Sequence, residues 1–84
     1  MTVNKEFTLL VVDDDDRLRD LLERYLAEND FVVHVASDAA EARSKLDSLP
    51  IDLVVLDIMM PGETGVDLTQ SLRDKGEDIP ILLL

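Results

Sequence analysis

Apolar positions along this chain alternate between two kinds of pattern. Residues 7–12, FTLLVV, form an almost continuous apolar run, broken only by Thr8 and containing several β-branched side chains. Such a run predicts a strand buried on both faces, as in a parallel sheet. From Arg17 to Glu28 the period changes. Leu18, Leu21, Leu22, Tyr25 and Leu26 recur at i, i+3, i+4, i+7 and i+8, which is one face of a helix. The stretch END at 28–30 ends it, and FVVHVA at 31–36 predicts a second strand. Asp38, followed three residues on by Glu41, predicts a capping-box-like start to a short helix reaching Leu46 or Leu49. Pro50 breaks the chain, and IDLVVLD at 51–57 predicts a third buried strand. MMPGETG at 59–65 is a loop. Thr64 with Asp67 caps a third helix, on which Leu68 and Leu72 share a face, and DKGED at 74–78 closes it with turn chemistry. Pro80 precedes ILLL at 81–84, a fourth strand.

Strands and helices thus alternate as β-α-β-α-β-α-β with short links, which implies an α/β fold: right-handed crossovers and a parallel sheet wrapped by helices. The 84 residues set one domain as the ceiling, and 46% apolar content is enough for a core. No repeat, linker or low-complexity segment interrupts the pattern. Cysteine is absent, which removes disulfides, thiolate metal sites and a cysteine nucleophile and fits a reducing compartment. Met1 to Glu6 carries no signal-peptide apolar region, and no apolar run approaches membrane-spanning length. The expectation is a soluble cytoplasmic chain with no membrane partner. The formal net charge of −11 repels nucleic acid phosphates, so direct nucleic acid binding is not expected, and it favours cations or basic partners.

Charge is concentrated where chemistry is expected. In an open parallel sheet, ligands bind at the carboxyl ends of the strands. The first strand runs into Asp13 and Asp14, and the third ends at Asp57. If these strands are neighbours, three carboxylates converge. Hard divalent cations prefer such oxygens, and Mg²⁺ takes one or two carboxylates and keeps several waters. The lack of nearby His or Cys argues against zinc. The first loop also lacks the glycines of a phosphate cradle. Asp57, alone at a strand end before the Pro61–Gly62 turn, is the candidate nucleophile towards phosphorus. Blander roles suit other residues. Asp15 and Asp16 fit helix capping and first-turn positions. Met59 and Met60 side chains fit packing, and His34 sits in an expected edge strand without a ligand role. Arg17, Arg19 and Arg24 fit solvated helix-face charges, although Arg17 and Arg19 lie near the acidic site.

These residues resemble the receiver domain of two-component response regulators. LLVVDDDD at 9–16 matches the family's first strand ending in an acidic pair. VVLDIMMPGETG at 54–65 matches its strand, phosphoacceptor aspartate, Met-Pro turn and following glycine, here Gly65. The resemblance covers the whole chain. It implies an open, doubly wound, flavodoxin-like sheet of strand order 2-1-3-4. Asp57 would accept a phosphoryl group from a phosphohistidine on a sensor histidine kinase, making the protein a signalling module and not an enzyme. Asp14 and Asp57 would ligate Mg²⁺ directly, with Mn²⁺ or Ca²⁺ as substitutes. Asp13 would act through water, and Met59 would offer its backbone carbonyl. DDRLRDLLERYL resembles the subfamily that carries a winged-helix DNA-binding domain and controls transcription.

The family's switch Ser/Thr, its lysine and its fifth βα unit have no counterpart within these 84 residues. The resemblance therefore implies a receiver cut after its fourth strand, deficient in switching, and able to self-associate through that strand or a bared sheet face. Two other classes stay open. A haloacid-dehalogenase-type hydrolase also uses a strand-end aspartate with Mg²⁺, but it places a second aspartate where Met59 stands. A structural fragment would bind no metal.

Overall fold

The first and third apolar runs lie side by side. In the computed structural model, which describes residues 6–84, β1 (Thr8–Val12) runs parallel to β3 (Leu53–Leu56). Leu9 stands opposite Leu53, and Val12 opposite Leu56. β2 (Val32–Ala36) flanks β1 on its other side, and β4 (Ile81–Leu83) pairs with β3. The order is β2-β1-β3-β4, all parallel, and α1 (Asp16–Glu28), α2 (Ala39–Ser48) and α3 (Gly65–Asp74) make the crossovers. The alternating pattern implies a parallel α/β sheet, and the strand order is the doubly wound, flavodoxin-like one that the resemblance implies.

Side chains alternate across each strand, so the sheet has two apolar faces. Leu10, Val12, Val54 and Leu56 join Ala39 and Ala42 of α2, Leu68 and Leu72 of α3, and Met60 in one buried cluster. Leu9, Val11 and Val55 alternate with these and belong to the opposite face, the side of α1. Every residue of β1 is buried, as the unbroken run implied, whereas β2 is mostly half-buried because it is an edge. The third apolar run is longer than its strand. The ladder covers 53–56, and Asp52 instead exchanges bonds with Thr8: its N–H donates to the Thr8 carbonyl and its carboxylate accepts from the Thr8 N–H, each at 2.8 Å.

Polar residues set the helix ends. The Asp15 carboxylate accepts from the N–H groups of Arg17 and Leu18, so α1 starts one residue before the periodic pattern. Asp38 caps α2 by accepting from Glu41, but the expected box closes differently. Glu41 reaches back to the N–H and hydroxyl of Ser37, one residue beyond the cap. Thr64 and Asp67 form a full capping box on α3. At the far end of α3, Gly76 takes φ +84, where a side chain would be strained, and the Glu77 N–H returns to the Leu72 carbonyl at 2.9 Å. Asp30 at φ 70 ends α1 in the same way. Lys45 on α2 donates its ammonium to the Val35 carbonyl of edge strand β2.

The apolar stripe of α1 is wider than what covers it. Leu22 and Leu26 are half-buried, but Leu18, Leu21 and Tyr25 are 40%, 60% and 61% exposed, and no residue of α1 is fully buried. Among the described residues α1 packs chiefly on β1 and β2, so only one flank of its stripe meets the sheet. Among the described residues no helix is long and apolar enough to cross a membrane.

Periodicity alone ranks Leu21 and Leu68 together; burial separates them. Leu68→Ala empties a fully buried position and is expected to cost about 2–5 kcal/mol. Leu21→Ala should stay within about 0.5 kcal/mol. Urea denaturation of the two variants checks the difference.

Candidate functional site

The site grows out of the β1–β3 register. Val12 is level with Leu56, so the next residues, Asp13 and Asp57, leave the sheet together at its carboxyl edge. Two backbone bonds hold them there. The Asp57 N–H donates to the Val12 carbonyl at 2.9 Å, and the Asp13 N–H donates to the Ala36 carbonyl of β2 at 3.1 Å. Asp14 begins the following loop. One carboxylate oxygen from each of Asp13, Asp14 and Asp57 lies within 4.8 Å of the others. The three aspartates singled out in the sequence therefore do converge.

Their surroundings differ. Asp13 is buried, Asp57 half-buried and Asp14 exposed. Burial pushes the Asp13 carboxyl above the usual aspartate range. A bond from the Asp15 N–H, 2.9 Å from Asp13 Oδ1, opposes that rise, while the charges of Asp57, Asp14 and Asp15 add to it. Asp57 Oδ1 accepts from the Met59 N–H at 3.2 Å, and its Oδ2 accepts no hydrogen bond from the described residues. None of the three carboxylates forms an ion pair among the described residues. The donors are all hard oxygens with no His or Cys among them, a set that fits Mg²⁺, Mn²⁺ or Ca²⁺.

Arg19 departs from the solvated role expected of it. Its side chain is only 14% exposed, and the guanidinium donates to the Asp13 carbonyl at 2.8 Å and to the Asp16 carboxylate. It braces the backbone under the site without neutralising the cluster. Arg17 and Arg24 are exposed as expected, and Asp15 and Asp16 serve α1. Met60 packs in the core, but the Met59 side chain is 78% exposed, because its loop turns outward before returning to α3. That return is tight at Gly65. A Cβ there would lie 2.3 Å from the Asp57 carbonyl oxygen, so only glycine lets α3 start this close to the strand end. The Gly65 N–H donates to the Ile58 carbonyl at 2.9 Å and closes the loop. His34 lies on β2, outside the cluster.

The sequence model of the response regulator receiver domain matches residues 9–84. The chain belongs to the response regulator receiver family. It is 54% identical to Protein PetR of Rhodobacter capsulatus over 76 residues, covering 90% of this chain and 32% of that protein. It is 45% identical to the response regulator MprA of Mycolicibacterium vanbaalenii, with 90% and 33% covered. The chain thus spans about a third of the length of these curated relatives. Among solved structures, a response regulator receiver protein from Pseudomonas putida superposes with TM-score 0.92 at 31% identity, covering 98% of this chain and 69% of that one. TrrA of Thermotoga maritima, solved in complex with Mg²⁺-BeF, gives TM-score 0.84 at 39% identity, with 92% and 67% covered. Receiver domains are signalling proteins, and membership in this family replaces the haloacid-dehalogenase alternative.

One pairing escaped the sequence entirely. Arg43 of α2 grips Glu63, in the loop after Asp57, across 20 residues of chain. Glu63 lies within the 54–65 motif but Arg43 belongs to none, and nothing in the local sequence pairs them.

The folded Asp13 carboxyl keeps its proton to higher pH than it would in the unfolded chain. Its contribution to stability therefore declines as pH rises from the ordinary aspartate range through the folded value. Asp13→Asn keeps the Oδ1 acceptor for Asp15 and removes the charge. Above that window, and without divalent cations, it is expected to stabilise the fold by roughly 0.5–2 kcal/mol. Chemical denaturation across pH measures both the gain and the flattened pH profile.

Proposed function

We propose that Asp57 accepts a phosphoryl group from a phosphohistidine on a sensor histidine kinase, at a site where Asp13, Asp14, Asp57 and the Met59 carbonyl hold Mg²⁺. The observation that carries this is the convergence of three carboxylates, within 4.8 Å of one another, with no cationic partner among the described residues. Asp14 and Asp57 would bind the ion directly and Asp13 through water, with Mn²⁺ or Ca²⁺ as substitutes. When bound, the ion supplies the positive charge that lets a carboxylate and a phosphoryl group approach. TrrA, whose solved complex contains Mg²⁺-BeF, supports this choice of metal.

The chain's own residues do the rest. The Met59 N–H occupies Oδ1 of Asp57 and orients the carboxylate, leaving Oδ2 for attack on phosphorus. The new Asp57 O–P bond replaces the P–N bond of the donor, and the departing imidazole keeps its electron pair. Gly65, lacking a side chain, lets the loop fold behind the strand end without pressing on the Asp57 backbone. In the full-length protein we expect the module to control transcription through a winged-helix DNA-binding domain. The resemblance of its first helix to that subfamily supports this. The signalling takes place in the cytoplasm. The isolated 84 residues hold neither the family's switch hydroxyl nor its lysine, so phosphorylation of this chain alone should give little conformational response.

Incubation with a small acyl phosphate and Mg²⁺ should add the mass of one phosphoryl group to the wild-type chain. It should add none to Asp57→Asn, and none when the metal is chelated. Mass spectrometry reads this directly, and equal labelling of Asp57→Asn would sink the assignment. The isolated chain should also self-associate. β4 is a sheet edge with Leu82 and Leu84 each 53% exposed, and the open flank of α1 adds apolar surface. Light scattering at high micromolar concentration should show a species larger than the monomer, and Leu82→Lys should reduce it. A strictly monomeric wild type would refute the idea.

A further inference from the structure

The loop from Ile58 to Thr64 carries the Met59 carbonyl, and its conformation decides where that carbonyl points. Its base is closed by the bond from the Gly65 N–H to the Ile58 carbonyl. Beyond the base, Met60 anchors it by burial in the core, and Pro61 and Gly62 form an exposed tip. The next residue, Glu63, is gripped from outside the loop. Arg43 donates from Nη1 to Glu63 Oε1 at 2.6 Å and from Nη2 to Glu63 Oε2, and Nη2 also donates to the Ser71 hydroxyl at 3.0 Å. One guanidinium thus joins α2, the loop and α3.

We propose that Arg43, with Glu63 and Ser71, is a positioning device for the phosphoacceptor loop, holding the Met59 carbonyl beside the carboxylate cluster. The inference rests on the metal-site reading above and assigns these residues a part in it. The two-pronged contact fixes orientation as well as distance, which a single lysine bond would not do. Both side chains are 30% exposed, so the pair is only partly open to water and salt. The Glu63 carboxyl is held below its usual range, first by the bond from Arg43, and the Arg43 guanidinium is correspondingly raised. A tie serving only to join α2 to α3 would need Arg43 and Ser71 alone. Here both prongs of the fork go to the loop residue, and α3 receives one bond.

The test compares Arg43→Met, Glu63→Gln and the exchanged pair Arg43→Glu with Glu63→Arg. Mg²⁺ binding is followed by NMR shifts of the Asp57 and Met59 amides, and hydrogen exchange is measured without metal. Each single variant is expected to weaken Mg²⁺ binding by up to about tenfold, the lower end of what supporting groups at metal sites contribute. Each should also speed exchange at residues 58–64 while leaving β1 and β3 protected, and the exchanged pair should recover both. Single variants that lower Tm yet keep wild-type Mg²⁺ affinity and loop exchange would overturn the proposal. If the wild type bound no Mg²⁺, the metal-site reading would fall. Loop exchange would then decide: faster exchange in the single variants supports the clamp, and unchanged exchange overturns it.

Discussion

The pairing of β1 with β3 is the constraint on which the site depends. Setting Val12 level with Leu56 forces Asp13 and Asp57 to leave the sheet side by side. With oxygens within 4.8 Å, two such charges repel by roughly 3 kcal/mol at an effective dielectric of about 20. That is a sizeable part of the ~5–15 kcal/mol that holds a small domain together. The repulsion is borne by the best-buried part of the molecule. β1 is covered on both faces, and Leu10, Val12, Val54 and Leu56 lock the two strands beneath α2 and α3. The sheet can hold unfavourable charge at its edge because the register cannot slip without exposing that core.

Much of this was legible in the sequence because it is written in short-range patterns. The unbroken run before Asp13 and the Thr64–Asp67 box each describe a local event, and each forms where expected. The three carboxylates were legible as candidates, but their meeting was conditional on which strands are neighbours, a matter of topology. The stripe on α1 shows a different limit. Periodicity states which side chains share a face, but it does not state how much of that face is met. Leu21 and Tyr25 fit the period as well as Leu22 and Leu26, yet only the latter reach the sheet. Arg19 and Arg43 were invisible for a related reason. A long, flexible cation carries no signature of its partner, and both partners lie on other turns or other elements.

The loop after Asp57 joins these two levels of description. Its ends are set by local chemistry, with a glycine where a side chain would collide with the strand and a capping box where the helix starts. Its middle is set by distant contacts, through Met60 in the core and Glu63 in the grip of α2. A site residue on such a loop inherits its precision from both. The loop that follows Asp57 is thus tied to α3 at its end and to α2 through Arg43.

The two edges of the sheet are not equivalent. On β2, the Val35 carbonyl already receives the Lys45 ammonium, so a passing strand would have to displace a cation to pair there. β4 has no comparable guard among the described residues. Growth of an open filament needs each molecule to offer one edge to the next and accept on the other. With one carbonyl of β2 already occupied, strand addition at β4 would favour like edges meeting about a two-fold axis, which closes at two copies. Lys45 thus leaves β4 as the less guarded of the two sheet edges among the described residues.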